Sequence, residues 1–196
     1  MIIFPAIDLY EGKAVRLYKG NYDKMTVYSE NPVEVARAFK KSGAEYIHLV
    51  DLEGARYGTT PNIDTVEKIV KGVGLFCEIG GGIRDIETVT AYLSRGVGRV
   101  ILGTAAVKDE EFLCKAVEKY GEKIAVGIDI KDGYVAIKGW TEKSAFTFED
   151  FCKKMQDKGV KTLICTDISK DGAMQGTNLT LYRDLSQKYK IDIVAS

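Results

Sequence analysis

The chain has 196 residues, 45% of them hydrophobic, and its 28 basic side chains balance 28 acidic ones. That length suits one sizeable domain with a large core, and zero net charge leaves no global field to draw nucleic acid or an anionic membrane surface. The start, "MIIFPAIDLYEG", has no basic region ahead of a long apolar run, and no stretch approaches the roughly 20 apolar residues of a membrane span, so a cytoplasmic protein is expected.

In chain order, "IIFPAIDL" (2–9) reads as the first strand, followed by a second strand-like run that closes in Lys-Gly. An amphipathic helical pattern, "PVEVARAFKKSG", leads to strand "EYIHLVDL" (45–52), and "NIDTVEKIVKG" to strand "LFCEIG" (75–80). Helix "DIETVTAYLSRG", strand "RVILG" (99–103), helix "DEEFLCKAVEKYG" and strand "KIAVGIDI" (123–130) continue the rhythm. Helix "TFEDFCKKMQDKG", strand "KTLICTDI" (161–168), helix "NLTLYRDLSQKY" and strand "IDIVAS" (191–196) complete it. Several helical stretches begin near Asp, Asn or Thr and end before Gly, as helix caps require. Apolar strands alternating with crossover helices make a parallel sheet covered on its faces, in an α/β fold. A doubly wound open sheet and a (β/α)8 barrel both fit, and the barrel needs eight strands.

An internal repeat favours the barrel. "DLYEGKAVRLYKG" from Asp8 is echoed by "DIKDGYVAIKGW" from Asp129, 121 positions on. Gly43, Asp51 and Asn62 match Gly159, Asp167 and Asn178 at a constant offset of 116. Identities are few, but they fall at strand ends and helix starts, so the expected architecture is a duplicated half-barrel: one domain over 1–196, with halves 1–121 and 122–196. The same offset sets Gly80 against Ser196. "IDIVAS" is then the seventh strand, and the chain is expected to lack the eighth strand and last two helices of a barrel of roughly 240 residues.

Four dispersed cysteines, no C-x-x-C pair and a single histidine, His48, argue against a zinc site and for reduced core thiols. With one histidine, carboxylates are the natural proton-transfer groups. Barrel chemistry gathers at the C-terminal ends of the strands. Asp8 and Asp129 lie there on strands 1 and 5, where a lone Asp would more often cap a loop. Their recurrence at equivalent points, each followed by Gly, marks the pair as a candidate general base and general acid. Asp51 and Asp167 form a second symmetric pair, read as caps. "EIGGGIRD", with Gly81 and Gly82, and "ILGTAAVKD", with Gly103 and Thr104, place N–H-rich turns ahead of helices, as phosphate-binding barrel loops do. By symmetry "DGAMQGTN", with Gly176 and Thr177, belongs to a second phosphate site, so the expected ligand carries a phosphate at each end.

"FPAIDLYEGKAVRLYKG", "IGGGIR", "ILGTAAV", "GIDIKDGYVAIKGW" and "TDISKDGAMQGTN" resemble the phosphoribosylformimino-5-aminoimidazole carboxamide ribotide isomerases of histidine biosynthesis, a (β/α)8 half-barrel family, across the whole chain. The resemblance implies an Amadori rearrangement of a bisphosphorylated aminoaldose without cofactor or metal; separately, a monomer is expected at full length. It makes Asp8 the proton acceptor at the sugar C2′ and Asp129 the proton donor that helps open the ring. Thr166 becomes an auxiliary catalytic residue, Arg16 and Trp140 substrate contacts, the tryptophan by stacking, and Asp171 a further substrate contact. Strand alternation alone leaves open whether Thr166 or Asp167 faces inward, and the resemblance favours Thr166. His48 reads as a structural histidine with a satisfied partner rather than a catalytic one. The sister family, the cyclase subunit of imidazole glycerol phosphate synthase, fits less well: it has Lys where this chain has Arg16, and it lacks "KGW". A dual-substrate isomerase that also takes phosphoribosylanthranilate, and an inactive truncated barrel, remain alternatives.

Overall fold

The computed structural model describes residues 2–18, 20–137, 142–171 and 176–196. Its internal contacts divide it into two compact units, Met1–Ile101 and Leu102–Ser196.

The first unit runs β1 (Ala6–Tyr10), β2 (Lys13–Tyr18), β3 (Asn21–Ser29), α1 (Pro32–Lys41), β4 (Tyr46–Asp51), α2 (Leu52–Tyr57), α3 (Ile63–Val73), β5 (Phe76–Gly80), α4 (Ile86–Ser94) and β6 (Arg99–Leu102). Strands β1, β4, β5 and β6 are parallel neighbours in that order, while β2 pairs antiparallel with β1, and β3 with β2. The second unit holds α5 (Thr104–Lys108), α6 (Glu110–Tyr120), β7 (Ile124–Lys131), β8 (Tyr134–Ile137), β9 (Glu142–Thr147), α7 (Phe148–Asp157), β10 (Thr162–Asp167), α8 (Leu179–Lys188) and β11 (Asp192–Ala195). Here β7, β10 and β11 are parallel, and β8 and β9 extend antiparallel from β7. The fold class is α/β, and the parallel strands of the described residues, four in the first unit and three in the second, are those expected of a (β/α)8 barrel.

The repeat is visible in the backbone. A two-residue turn joins β1 to β2 with Glu11 and Gly12 at φ 49° and 72°, and Asp132 and Gly133 join β7 to β8 at 51° and 79°. Such turns need positive φ at both central residues, which Asp-Gly and Glu-Gly pairs supply. The extra strands β3 and β9 have no sequence signature of their own, because "NYDKMTVYS" and "EKSAFT" bury none of their residues and so lack an apolar face. The first strand begins at Ala6, later than its apolar run suggests. Pro5 cannot donate to the ladder, although its carbonyl accepts the His48 N–H at 2.9 Å.

Alternation within each strand sends one set of side chains to the helices. Leu9, Ile47, Leu49, Ile79 and Val100 are fully buried with Val66, Ile69 and Val89 of the helices, and Ile128, Leu163 and Cys165 with Phe151 and Met155 in the second unit. Each such aliphatic or aromatic side chain contributes about 1.5–3 kcal/mol by leaving water. The expected helices form, with Asn31, Asp85, Asp109, Thr147 and Asn178 accepting first-turn N–H groups.

Candidate active site

Parallel register decides which side chains share a face. Asp8 stands opposite Val50, and Val50 opposite Gly80, so these three make one row across β1, β4 and β5. Asp129 stands opposite Thr166 on β10. In-register residues on adjacent parallel strands point the same way, with their strands about 4.8 Å apart. Thr166 therefore shares the face of Asp129, and the first-half counterpart of this pair is Asp8 with Val50. The two halves match in backbone but differ in chemistry, since only the second sets a hydroxyl beside its aspartate. Asp8, Asp129 and Thr166 are each half-buried.

Asp51 and Asp167 point to the opposite face and cap the turns that leave their strands. Asp51 Oδ1 accepts the Gly54 N–H at 2.8 Å and the Asn62 side-chain N–H at 2.8 Å. Asp167 Oδ1 accepts from Ser169 N at 3.0 Å and Ser169 Oγ at 2.6 Å, and Oδ2 accepts from Asn178 Nδ2 at 2.8 Å. Burial pushes the Asp51 carboxyl up against the pull of the Gly54 and Asn62 hydrogen bonds. At Asp167 burial also pushes up, but the Ser169 and Asn178 hydrogen bonds outweigh it, and that carboxyl lies below its ordinary value.

The glycine turn after β5 has a steric origin. Gly81 and Gly82 have φ of 110° and 74°. A Cβ on Gly81 would overlap the Asp51 carbonyl, and one on Gly82 the Gly54 carbonyl. The turn thus lies directly against the start of α2, leaving no room for side chains at either position. Gly103 is the exposed residue before α5, and Thr104 is the first residue of that helix. Gly176 and Thr177 are exposed just ahead of the Asn178 cap of α8. Arg16 is exposed on β2 opposite Thr26, and Asp171 is half-buried in the turn after β10, its N–H donating to the Asp167 carbonyl at 3.1 Å. Trp140 lies outside the described residues.

Two arrangements go beyond the sequence-derived candidates, and of their residues the sequence marks only His48, as a structural histidine with a satisfied partner. Tyr22 of β3 donates its hydroxyl to the Leu52 carbonyl at 2.9 Å, with the Arg56 guanidinium 4.7 Å from its ring centroid. Burial pushes this hydroxyl up, and Arg56 draws it back. The second is a row of polar side chains, His48, Glu78 and Arg99, in register on β4, β5 and β6. It lies on the face of Asp8, Val50 and Gly80 but two residues earlier along the strands, about 6.7 Å away. A lone Glu inside the apolar run "LFCEIG" was the signal for it, since such a charge must find partners. Among the described residues no three His, Cys, Asp or Glu side chains group as metal ligands, and no helix is long and apolar enough to cross a membrane.

A family model described as "Histidine biosynthesis protein" matches residues 2–196. The chain belongs to that histidine biosynthesis family. Curated relatives include a protein of Clostridium kluyveri (strain ATCC 8527), 54% identical over 196 residues that span all of this chain and 82% of the relative. Another, from Lactococcus lactis subsp. cremoris (strain SK11), is 52% identical over 198 residues, covering 100% of this chain and 80% of the relative. A third, from Brachyspira hyodysenteriae, is 49% identical with 100% and 82% covered. All three are named 1-(5-phosphoribosyl)-5-((5-phosphoribosylamino)methylideneamino) imidazole-4-carboxamide isomerase. Within the histidine biosynthesis family the similarity to these three proteins lies on the isomerase side.

Proposed function

We propose that this chain is an aldose–ketose isomerase of histidine biosynthesis, which converts a bisphosphorylated aminoaldose, phosphoribosylformimino-5-aminoimidazole carboxamide ribotide, into the aminoketose. The observation that carries the reading is 54% identity along the entire chain to a protein named for that isomerisation.

Asp129 in its acid form gives a proton to the ribose ring oxygen. The ring C1′–O bond breaks as the substituent nitrogen lone pair forms a C=N bond. Asp8 as carboxylate removes the C2′ proton, and those electrons form a C1′=C2′ enolamine. The C2′ hydroxyl proton then passes to the Asp129 carboxylate and the Asp8 proton returns to C1′, which yields the aminoketose and restores both side chains. No atom or electron leaves the pair, so the rearrangement needs no external carrier. The Thr166 hydroxyl, in register beside Asp129, suits holding that carboxyl in its donor geometry. Arg16, Asp171 and Trp140 are assigned to the substrate body. Phosphate binding is assigned to the backbone at Gly81 and Gly82, Gly103 and Thr104, and Gly176 and Thr177.

The test is an assay of the full gene product with the aminoaldose. Turnover to the aminoketose is expected with no ammonia present. Absence of that product, or activity only when the aminoketose and ammonia are supplied, would overturn the reading and point to cyclase chemistry instead.

A further inference from the structure

Asn62 is 1% exposed and stands at the start of α3, yet its side chain makes no cap bond to that helix. Its carbonyl oxygen accepts the Gly12 N–H at 2.9 Å, and its amide donates to Asp51 Oδ1 at 2.8 Å and Glu53 Oε2 at 3.0 Å. Glu53 Oε2 in turn accepts the Glu11 N–H at 2.7 Å. Both peptide N–H groups at the tip of the β1–β2 turn are therefore held from outside the hairpin, by two residues anchored beyond the end of β4. A two-residue hairpin turn offers its central N–H groups no ladder partner, so these bonds are what ties the tip down. The amide can sit only one way round. Reversed, its oxygen would face two carboxylates and its NH2 would face an N–H.

The second half supplies the comparison. Asn178 holds the same position relative to Asp167 and makes the same bond to it, at 2.8 Å. Its oxygen, however, accepts the Leu181 N–H at 3.2 Å and so caps α8. Capping is the ordinary role for Asn at this place, and Asn62 departs from it to hold a hairpin. That hairpin carries Asp8, paired in register with Val15 across the turn, and Arg16 directly after.

We propose that Asn62 is a positioning residue for the isomerisation: by fastening the Glu11–Gly12 turn to the Asp51 end of β4, it sets where Asp8 stands as proton acceptor. The catalytic half of this proposal rests on the function proposed above. The fastening half does not, and it is read separately by amide hydrogen exchange. In the unaltered full chain the Gly12 and Glu11 amides should exchange slowly despite lying in a turn; exchange at the rate of open turn amides would overturn the fastening whether or not any variant folds. In Asn62→Ala, exchange over residues 9–18 should accelerate, and kcat should fall on the order of 10- to 100-fold, as for a sub-ångström to ångström misplacement of a catalytic group, with KM little changed. Asn178→Ala should leave exchange over 9–18 as it was. Accelerated exchange with an unchanged kcat would overturn the positioning role, and unchanged exchange in Asn62→Ala would overturn the proposal altogether. If the unaltered protein fails to isomerise the aminoaldose, the function reading falls while the exchange data still decide the fastening.

Discussion

The carboxylate of Glu78, with no solvent exposure, takes the Arg99 guanidinium on one oxygen and the His48 imidazole on the other. Arg99 Nε lies 2.9 Å from Oε2, and His48 Nδ1 lies 2.6 Å from Oε1. Burial by itself would push this carboxyl up, but the His48 hydrogen bond and charge, then Arg99, hold it below its ordinary value of 4.5. A depressed carboxylate contributes stability above its unfolded value and loses it as pH falls through the folded one. Glu78→Gln should destabilise the protein by about 3–5 kcal/mol at neutral pH, as expected for a buried ion pair stripped of one partner. Urea unfolding at pH 7 and pH 3 checks this. The gap between variant and parent should shrink at the lower pH, and an equal gap at both would refute the charge-based account.

The acid–base assignment predicts that Asp8→Asn and Asp129→Asn each reduce turnover of the full gene product by several orders of magnitude while substrate still binds. Amides keep the shape of the carboxyl but cannot exchange its proton. Near-normal kcat in either variant would remove that residue from its role. A chelator should leave the rate unchanged, and a loss restored by added metal would contradict the cofactor-free scheme.

The turn of Gly81 and Gly82 should tolerate no side chain. Gly82→Ala combines left-handed backbone with overlap against the Gly54 carbonyl and should cost about 2–4 kcal/mol. Gly43 has φ 94° and open space around its Cβ position, so Gly43→Ala should carry only the backbone cost of about 1–2 kcal/mol. Thermal melts of the two variants compare them directly. Equal losses would mean that the close approach to α2 has little energetic weight.

Thiol reactivity should be confined to one of the four cysteines. Cys77, Cys152 and Cys165 are buried, and burial raises their thiols, Cys77 and Cys152 to about 12. Cys114 is partly exposed. Since the thiolate is the reactive form, an aromatic disulfide reagent should titrate one thiol in the native protein and four after denaturation. Rapid native labelling of Cys77 would show that the strand core opens far more readily than its packing implies.

Much of the fold and of the candidate site is legible in the residue pattern alone. The hydrophobic period marks the strands and helices because each buries one face, and the Asp8/Asp129 and Asp51/Asp167 repeats expose the duplication because caps and turns demand particular residue types. Asp51 and Asp167 are readable as caps from position alone. The strands β3 and β9 are not legible, since a hairpin arm held by backbone bonds, without a buried face, leaves no pattern to read.

Sequence by itself determined the element order, the internal repeat of residue types, the family resemblance and the acidic residues at the strand ends, all of which depend on local chemistry or on spacing along the chain. Register belongs to the tertiary structure. It put Thr166 rather than Asp167 on the face of Asp129, gathered His48, Glu78 and Arg99 into one row from three strands, and turned Asn62 from a helix cap into the tie that holds the turn after Asp8. A slip of one residue in strand pairing would send every one of those side chains to the opposite face, and only the packing of many strands and helices together selects the pairing that forms.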